Sequence, residues 1–261
     1  MLLAVDVGNT QTKLGVFRQE KLMHEWRAST DARRTADELA LMFGEFLSVA
    51  ELSFSHEITG VAISSVVPSA TQQLREMTLR YFGFPPVVVE PGVRTGIAVA
   101  TDNPREVGAD RIANAVAARD MFPDCSAVIV DLGTAIKVDV VSARGEFLGG
   151  AIAPGMDTSA AALFQSAAQL RRVELVAPPH VIGRSTVTSI QSGVVYGAAA
   201  LVDGLLERVL DELGEDAGVV ATGGLGPTVV RHCRTVERLE PALTLLGLRL
   251  VYERNTTREE E

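Results

Sequence analysis

An α/β fold built of two domains related by duplication is what this sequence predicts, and three observations predict it. Strand-like and helix-like segments alternate along the chain. One short unit occurs twice about half a chain apart, as LAVDVGNTQTKLGVF at 3–17 and VIVDLGTAIKVDVV at 128–141: an apolar run, an Asp, one apolar residue, a Gly, a Thr close behind, and a second apolar run. Finally, 47% of the 261 residues are hydrophobic, enough to bury one large or two small cores.

The elements follow in order. The first unit reads as a hairpin. Residues 35–50 then place Leu39, Met42, Phe43, Phe46, Leu47 and Ala50 at helical spacing, an inward-facing stripe. GVAISSVVP at 60–68 reads as a buried strand stopped by Pro68, residues 70–82 as a helix, and PVVVE at 86–90 as another strand. DNPREVGADRIANAVAARDM at 102–121 puts Pro104 ahead of a helix, with Gly108 early in it and Ile112 and Val116 on the packing face. A set of strands spans 126–154, and the domain boundary is expected near 118–126. The apolar helix at 188–213, with Val194, Val195, Ala198, Leu201, Val202, Leu205 and Leu206, fits either a core or a subunit interface. GVVATGGLGP at 218–227 reads as a strand running into a double glycine and a helix start, and the closing NTTREEE as a solvated, fraying end.

Bulk properties exclude several function classes. A formal net charge of -9 without a basic stripe disfavours nucleic acid. No apolar stretch approaches the roughly 18 residues of a membrane span, and no basic region with a cleavage site precedes the first strand, so cytoplasmic residence is expected. Cys125 and Cys233 lack metal-ligand spacing, as do His24, His56, His180 and His232.

The repeated unit has a chemical logic. A glycine turn lets backbone N–H groups approach an anion, and Asn and Thr add neutral donors, so DVGNT and DLGT each offer a phosphate cradle. Asp6 and Asp131 stand at the strand ends, where they would hold Mg²⁺ through its waters, an ion that takes only one or two carboxylates. Gly223 and Gly224 leave room for a base or ribose against the backbone.

Phosphate hairpin, phosphate hairpin and nucleoside turn, in that order, resemble the superfamily of sugar and acetate kinases, actin and the Hsp70 ATPases. Local motifs narrow the resemblance to the type III pantothenate kinases: DVGNT at 6–10, PGVRTGI at 91–97, DNPREVGADR at 102–111, GEFLGGAIAPG at 145–155, AAQLRRVEL at 167–175, IGRST at 182–186, QSGVVYG at 191–197 and ATGGL at 221–225. The resemblance implies two ribonuclease H-like (actin-like) domains, 1–118 and 119–261, with the active site in the cleft between them. It implies transfer of the ATP γ-phosphoryl group to the primary hydroxyl of pantothenate, the first step of coenzyme A synthesis, by a homodimer needing Mg²⁺ and a monovalent cation (K⁺ or NH₄⁺).

Residue by residue, the resemblance makes Asp110 of GADR the catalytic base and Arg111 the donor to the pantothenate carboxylate, with Gly108 and Thr101 lining the pocket. Thr186 matches a threonine that reaches that site from the partner subunit, with Ser185 where asparagine is common. Asp6, Gly8, Asn9, Thr10, Lys13, Asp131, Gly133 and Thr134 fall on the phosphate and cation elements. Two departures stand out. Thr101 replaces a tyrosine common before DNP, and Ile136, Lys137 and Val138 replace Thr-Thr-Phe. The Lys137 ammonium then either takes the place of the monovalent cation, or spoils the cradle in a catalytically impaired paralogue that binds a ligand or regulates. A third class, an ATPase conformational machine, leaves GADR unexplained.

Overall fold

In the computed structural model, which describes residues 1–54, 56–166 and 172–256, the duplication is written into the strand order. One sheet has five strands: β1 (Leu2–Val7), β2 (Gln11–Arg18), β3 (Lys21–Ser29), β4 (Gly60–Ser65) and β5 (Val87–Val88), in the order 3-2-1-4-5. The other has six: β6 (Ala98–Val99), β7 (Ser126–Leu132), β8 (Ala135–Val141), β9 (Glu146–Pro154), β10 (Ala217–Thr222) and β11 (Arg238–Leu239), in the order 11-10-7-8-9-6. Read from the other edge, 9-8-7-10-11 repeats 3-2-1-4-5, antiparallel through the first three strands and parallel through the last three. β6 is the addition, a parallel edge beyond β9.

The helices form where sequence and packing agree. α1 (Ala36–Val49) starts at a capping box: the Thr35 hydroxyl accepts from the Glu38 N–H and the Glu38 carboxylate accepts from the Thr35 N–H. It buries Leu39, Phe43 and Leu47. Pro68 does more than stop a strand. β4 already ends at Ser65, and Pro68 opens α2 (Pro68–Met77) at a position where its missing N–H costs nothing. The helix expected to continue to 82 gives way at Thr78–Phe82 to a π-helical turn closed by Gly83 at φ 82°. The strand expected at 86–90 pairs only through Val87–Val88. The 102–121 helix is in two pieces, a 3₁₀ turn at Pro104–Glu106 and α3 (Ala109–Met121), with Gly108 just outside the second. α4 (Met156–Ser166), α5 (Thr186–Leu213), α6 (Gly226–Val229) and α7 (Leu243–Thr256) complete the set. β3, α4 and α7 were not anticipated from the sequence.

The chain divides into two compact units, one of Met1–Ile97, Asp102–Ala117 and Leu243–Glu261, the other of Ala98–Thr101 and Ala118–Ala242. The chain passes from one unit to the other after Ile97, Thr101, Ala117 and Ala242. The C-terminal segment differs from a simple 119–261 domain, because α7 belongs to the first unit. Its attachment is steric and polar. A Cβ on Gly247 would overlap the Ala113 backbone of α3, one on Gly15 of β2 would press on the Leu245 side chain, and the Thr244 hydroxyl donates to Asn114 Oδ1 at 2.8 Å with both residues buried.

Each unit has its own apolar core. In the first, Leu3, Val5, Val7, Val61 and Ile63 meet Phe43, Leu47 and Leu74. In the second, Val128, Val130, Ile136, Val138 and Val219 meet Val195, Val202 and Leu206 of α5. The apolar face of α5 is therefore largely core. Among the described residues, no helix is long and apolar enough to cross a membrane.

Candidate active site

Alternation along β1 decides where Asp6 points. Val5 and Val7 enter the core, so Asp6 lies on the opposite sheet face with Ala4, toward the end of the strand. Its Cα partners are Lys13 on β2 and Ser64 on β4. The Ser64 hydroxyl donates to Asp6 Oδ1 at 2.5 Å, so a carboxylate only 9% exposed has a hydrogen-bond donor built in. Beyond it the Gly8 N–H bonds Gln11 C=O at 3.0 Å, closing a turn that leaves Asn9 and Thr10 exposed. The Thr10 carbonyl accepts the Thr30 N–H, and the Thr12 and Thr30 hydroxyls meet at 2.9 Å, fixing the turn to the chain that follows β3. Lys13 is half-buried.

Asp110 belongs to the same end of that sheet. The Val66 N–H bonds Val7 C=O at 3.0 Å, locking the exit of β4 to the exit of β1. Val66 Cγ1 lies 3.5 Å from where a Cβ of Gly108 would stand, and that Cβ would also overlap the Asp110 carboxylate. With glycine there the carboxylate can fold back over this position, and a larger residue would push it aside. Asp110 is in the first turn of α3, where the unpaired N–H groups favour an anion, and both it and Arg111 are half-buried. Val66 also lines an open groove of about 500 Å³ with Thr71, Gln72, Val89 and the Arg75–Glu90 ion pair. Gly108 and Asp110 thus lie against Val66 at the paired exits of β1 and β4, and Asp6 precedes Val7 of that exit in β1.

The second hairpin repeats the first closely. The Gly133 N–H bonds Ala135 C=O at 3.1 Å, matching the Gly8 turn, and Thr134 is exposed. Two further backbones close on this turn. The Thr134 carbonyl accepts from the Gly155 N–H at 3.0 Å and from the Thr158 hydroxyl at 2.7 Å, and a Cβ on Gly155 would overlap the Gly133 and Thr134 carbonyls. Gly223 sits at φ 97° with its α-carbon flush against the Leu132 backbone, and the Leu225 N–H bonds Leu132 C=O at 3.0 Å. The ATGGL turn, with Gly224 exposed at its tip, therefore rests directly on DLGT.

Asp131 differs from Asp6 in its partner. Its Cα partners are Lys137 on β8 and Thr222 on β10, and Lys137 Nζ lies 2.8 Å from Asp131 Oδ2. The pair is partly sheltered, with side-chain exposures of 19% and 17%. Thr222 is buried, and its hydroxyl has no hydrogen-bond partner. Against Mg²⁺, Asp6 fits as a ligand, whereas Asp131 already carries a resident ammonium on one oxygen. Among the described residues, no three His, Cys, Asp or Glu side chains group as a metal site.

Thr101 falls in the second unit, packed beside Gly149, its hydroxyl buried and unpartnered. Thr186 is the first residue of α5 and is exposed; Ser185 caps that helix through a reciprocal pair with Thr188, a role serine fills as well as asparagine. Thr186 lines an apolar groove of about 670 Å³ with Ile136, Met156, Leu163, Ile190 and Val194. Of the AAQLRRVEL motif, residues 167–171 lie outside the described residues, as do 257–261 of the C-terminal end. Ser64, Gly155 and Thr222 were not singled out from the sequence. Gly155 had a signal, closing the quoted GGAIAPG; Ser64 and Thr222 are strand residues whose importance is set by register alone.

Known proteins resemble this chain in sequence and in fold. Residues 2–208 match the family described as Type III pantothenate kinase. A type III pantothenate kinase of Frankia casuarinae is 52% identical over 256 residues, covering 98% of this chain and 100% of that one. Among solved structures, the activator of 2-hydroxyisocaproyl-CoA dehydratase from Clostridium difficile superposes with TM-score 0.56 at 13% identity over 100% of this chain and 99% of its own. A ROK hexokinase from Thermus thermophilus gives 0.51 at 16% identity over 98% and 99%. Those likenesses concern the fold, which is the duplicated actin-like one. With a match over most of its length and a relative sharing half its residues, the chain belongs to the type III pantothenate kinase family.

Proposed function

We infer that this protein phosphorylates pantothenate at its primary hydroxyl with ATP, giving 4'-phosphopantothenate and ADP, at the start of coenzyme A synthesis. The observation that carries the reading is Asp110. The family's GADR acid is kept, glycine-backed, in a helix first turn, at the sheet end that also holds Asp6.

Phosphoryl transfer needs positioning and charge neutralisation more than covalent chemistry from the protein. The Asp110 carboxylate takes the proton as the pantothenate hydroxyl oxygen forms its bond to the γ-phosphorus; the bond to the ADP oxygen breaks and ADP leaves with that electron pair. Arg111 offers a planar two-pronged donor to the pantothenate carboxylate, with Gly108 and Thr101 against the substrate. Asn9, Thr10 and Thr134 take nucleotide oxygens at turns where Gly8, Gly133, Gly223 and Gly224 let the backbone approach closely, and Lys13 adds a point charge. Mg²⁺, when bound at Asp6, neutralises phosphate charge. Positive charge beside the phosphates, from a monovalent cation or from the Lys137 ammonium in its place, adds to that screening, the protein acts as a cytoplasmic homodimer, and Thr186 serves the partner's pantothenate site.

The test is direct: purified protein with ATP, Mg²⁺ and labelled pantothenate, with product resolved by chromatography. Phosphopantothenate should form, and Asp110→Asn should abolish turnover while nucleotide affinity stays unchanged. Absence of product under every cation, or full turnover in Asp110→Asn, would refute the assignment.

A further inference from the structure

The two hairpins are alike in backbone and register but differ in what faces the carboxylate at each strand end. Asp6 meets a neutral serine hydroxyl on the neighbouring parallel strand. Asp131 meets an ammonium on the neighbouring antiparallel strand, and on its other side a threonine with an orphaned hydroxyl. A buried hydroxyl without a protein partner is costly and uncommon, and it has capacity for a water or a ligand oxygen. Lys137 meanwhile keeps 19% of its side-chain surface open. An ammonium has three donor hydrogens and can serve more than one acceptor at once.

On the basis of the kinase reading above, we propose that Lys137 is a built-in cation of the nucleotide phosphate site, aimed by Asp131. It donates to a phosphate oxygen, with the Thr222 hydroxyl as its neutral companion, so nucleotide binding needs no added monovalent cation. Three features support this. The Asp131–Lys137 pair is in direct cross-strand register, so the ammonium is positioned by β-sheet geometry. The carbonyls of Leu132 and Thr134, on either side of Gly133, accept the backbone N–H groups of Leu225 and Gly155, which fixes the turn that the pair flanks. Asp139, two residues on from Lys137 and on the same sheet face, is 1% exposed, so that face is polar on both sides of the strand position the ammonium leaves. Asp131 acts here as a positioning residue.

The experiment is isothermal titration of the full-length protein with ADP, without pantothenate, in NaCl and then in KCl at equal ionic strength. Unmodified protein should give the same affinity in both salts. Lys137→Thr should lose about 10-fold or more in NaCl, the value of one charge-assisted hydrogen bond, and recover part of it in KCl, while Lys137→Arg stays within about 3-fold of wild type, since it keeps the charge. Circular dichroism checks that each variant is folded. A folded Lys137→Thr with unchanged affinity would overturn the proposal, since a purely structural lysine would not move this readout. Should Lys137→Thr fail to fold, the salt comparison on the unmodified protein still decides: a strong potassium requirement refutes the proposal, and its absence supports it. Because pantothenate is absent, failure of the kinase assignment shows separately, as missing phosphopantothenate beside an intact ADP isotherm.

Discussion

Replacing Gly223 with alanine would drive a methyl group into the backbone of Leu132. The new Cβ would stand 2.6 Å from both the carbonyl carbon and the nitrogen of Leu132, well inside the 3.4 Å at which ordinary contact begins. Both atoms are main chain of β7, so no side chain can rotate away. The residue would also have to keep φ near 97°, which costs an L side chain about 1–2 kcal/mol, and forcing a carbon into a packed site adds roughly 1–3 kcal/mol. A total near 3–4 kcal/mol corresponds to a fall in Tm of about 10 °C for a domain of this size. Any relief by backbone movement would displace Leu132 and Gly133, so ADP affinity should fall with stability. Gly197 on α5 is the control: a Cβ there meets nothing within 4 Å, and alanine in a helix interior should stabilise by about 0.5–1 kcal/mol. Differential scanning calorimetry and ADP titration of both variants check this. A Gly223→Ala protein with wild-type Tm and affinity would refute the idea that ATGGL is seated on the second phosphate turn.

Two further outcomes concern the frame around the site. Asp203 on α5 is 4% exposed, and its burial, which would raise its pKa, is outweighed by hydrogen bonds from the Thr235 hydroxyl, the Arg234 and Thr235 N–H groups and the Arg234 guanidinium, leaving the pKa depressed. A depressed carboxylate contributes stability above its unfolded pKa and loses it as pH falls through the folded value. Asp203→Asn should therefore cost about 2 kcal/mol in urea titrations at pH 7, the difference from wild type shrinking below about pH 4; an equal difference at both pH values would count against the charge. In the first unit, Thr244→Val leaves Asn114 Oδ1 without its buried donor and should cost about 1–3 kcal/mol; a change within about 0.5 kcal/mol would mean that the hydroxyl does not anchor α7.

Local chemistry made the repeated hairpins readable in the chain. A strand-ending Asp, a turn glycine and a Thr specify a backbone path from neighbours alone, and both turns close as that chemistry requires, Gly8 on Gln11 and Gly133 on Ala135. The helices with one apolar stripe, at 36–49 and 186–213, were legible for the same reason: the 3.6-residue period survives when one face is wet. α7 was not. Leu243, Leu245, Leu248 and Val251 are fully buried together with Gly247 and Thr244, so the period blurs, and nothing nearby in the chain announces that α7 will return to the first unit against Gly15 and Ala113.

The sequence by itself determined the duplicated fold, its family, and which residue types stand at each turn, because these follow from spacing and local backbone preference. Only the tertiary structure decided what each carboxylate meets: Ser64 for Asp6, Lys137 and an orphaned Thr222 for Asp131, the glycine-backed Val66 corner for Asp110. The physical reason is register. Strand pairing sets Ser64 beside Asp6, and Lys137 and Thr222 beside Asp131, and a shift of one residue would turn those strand partners to the opposite face of the sheet.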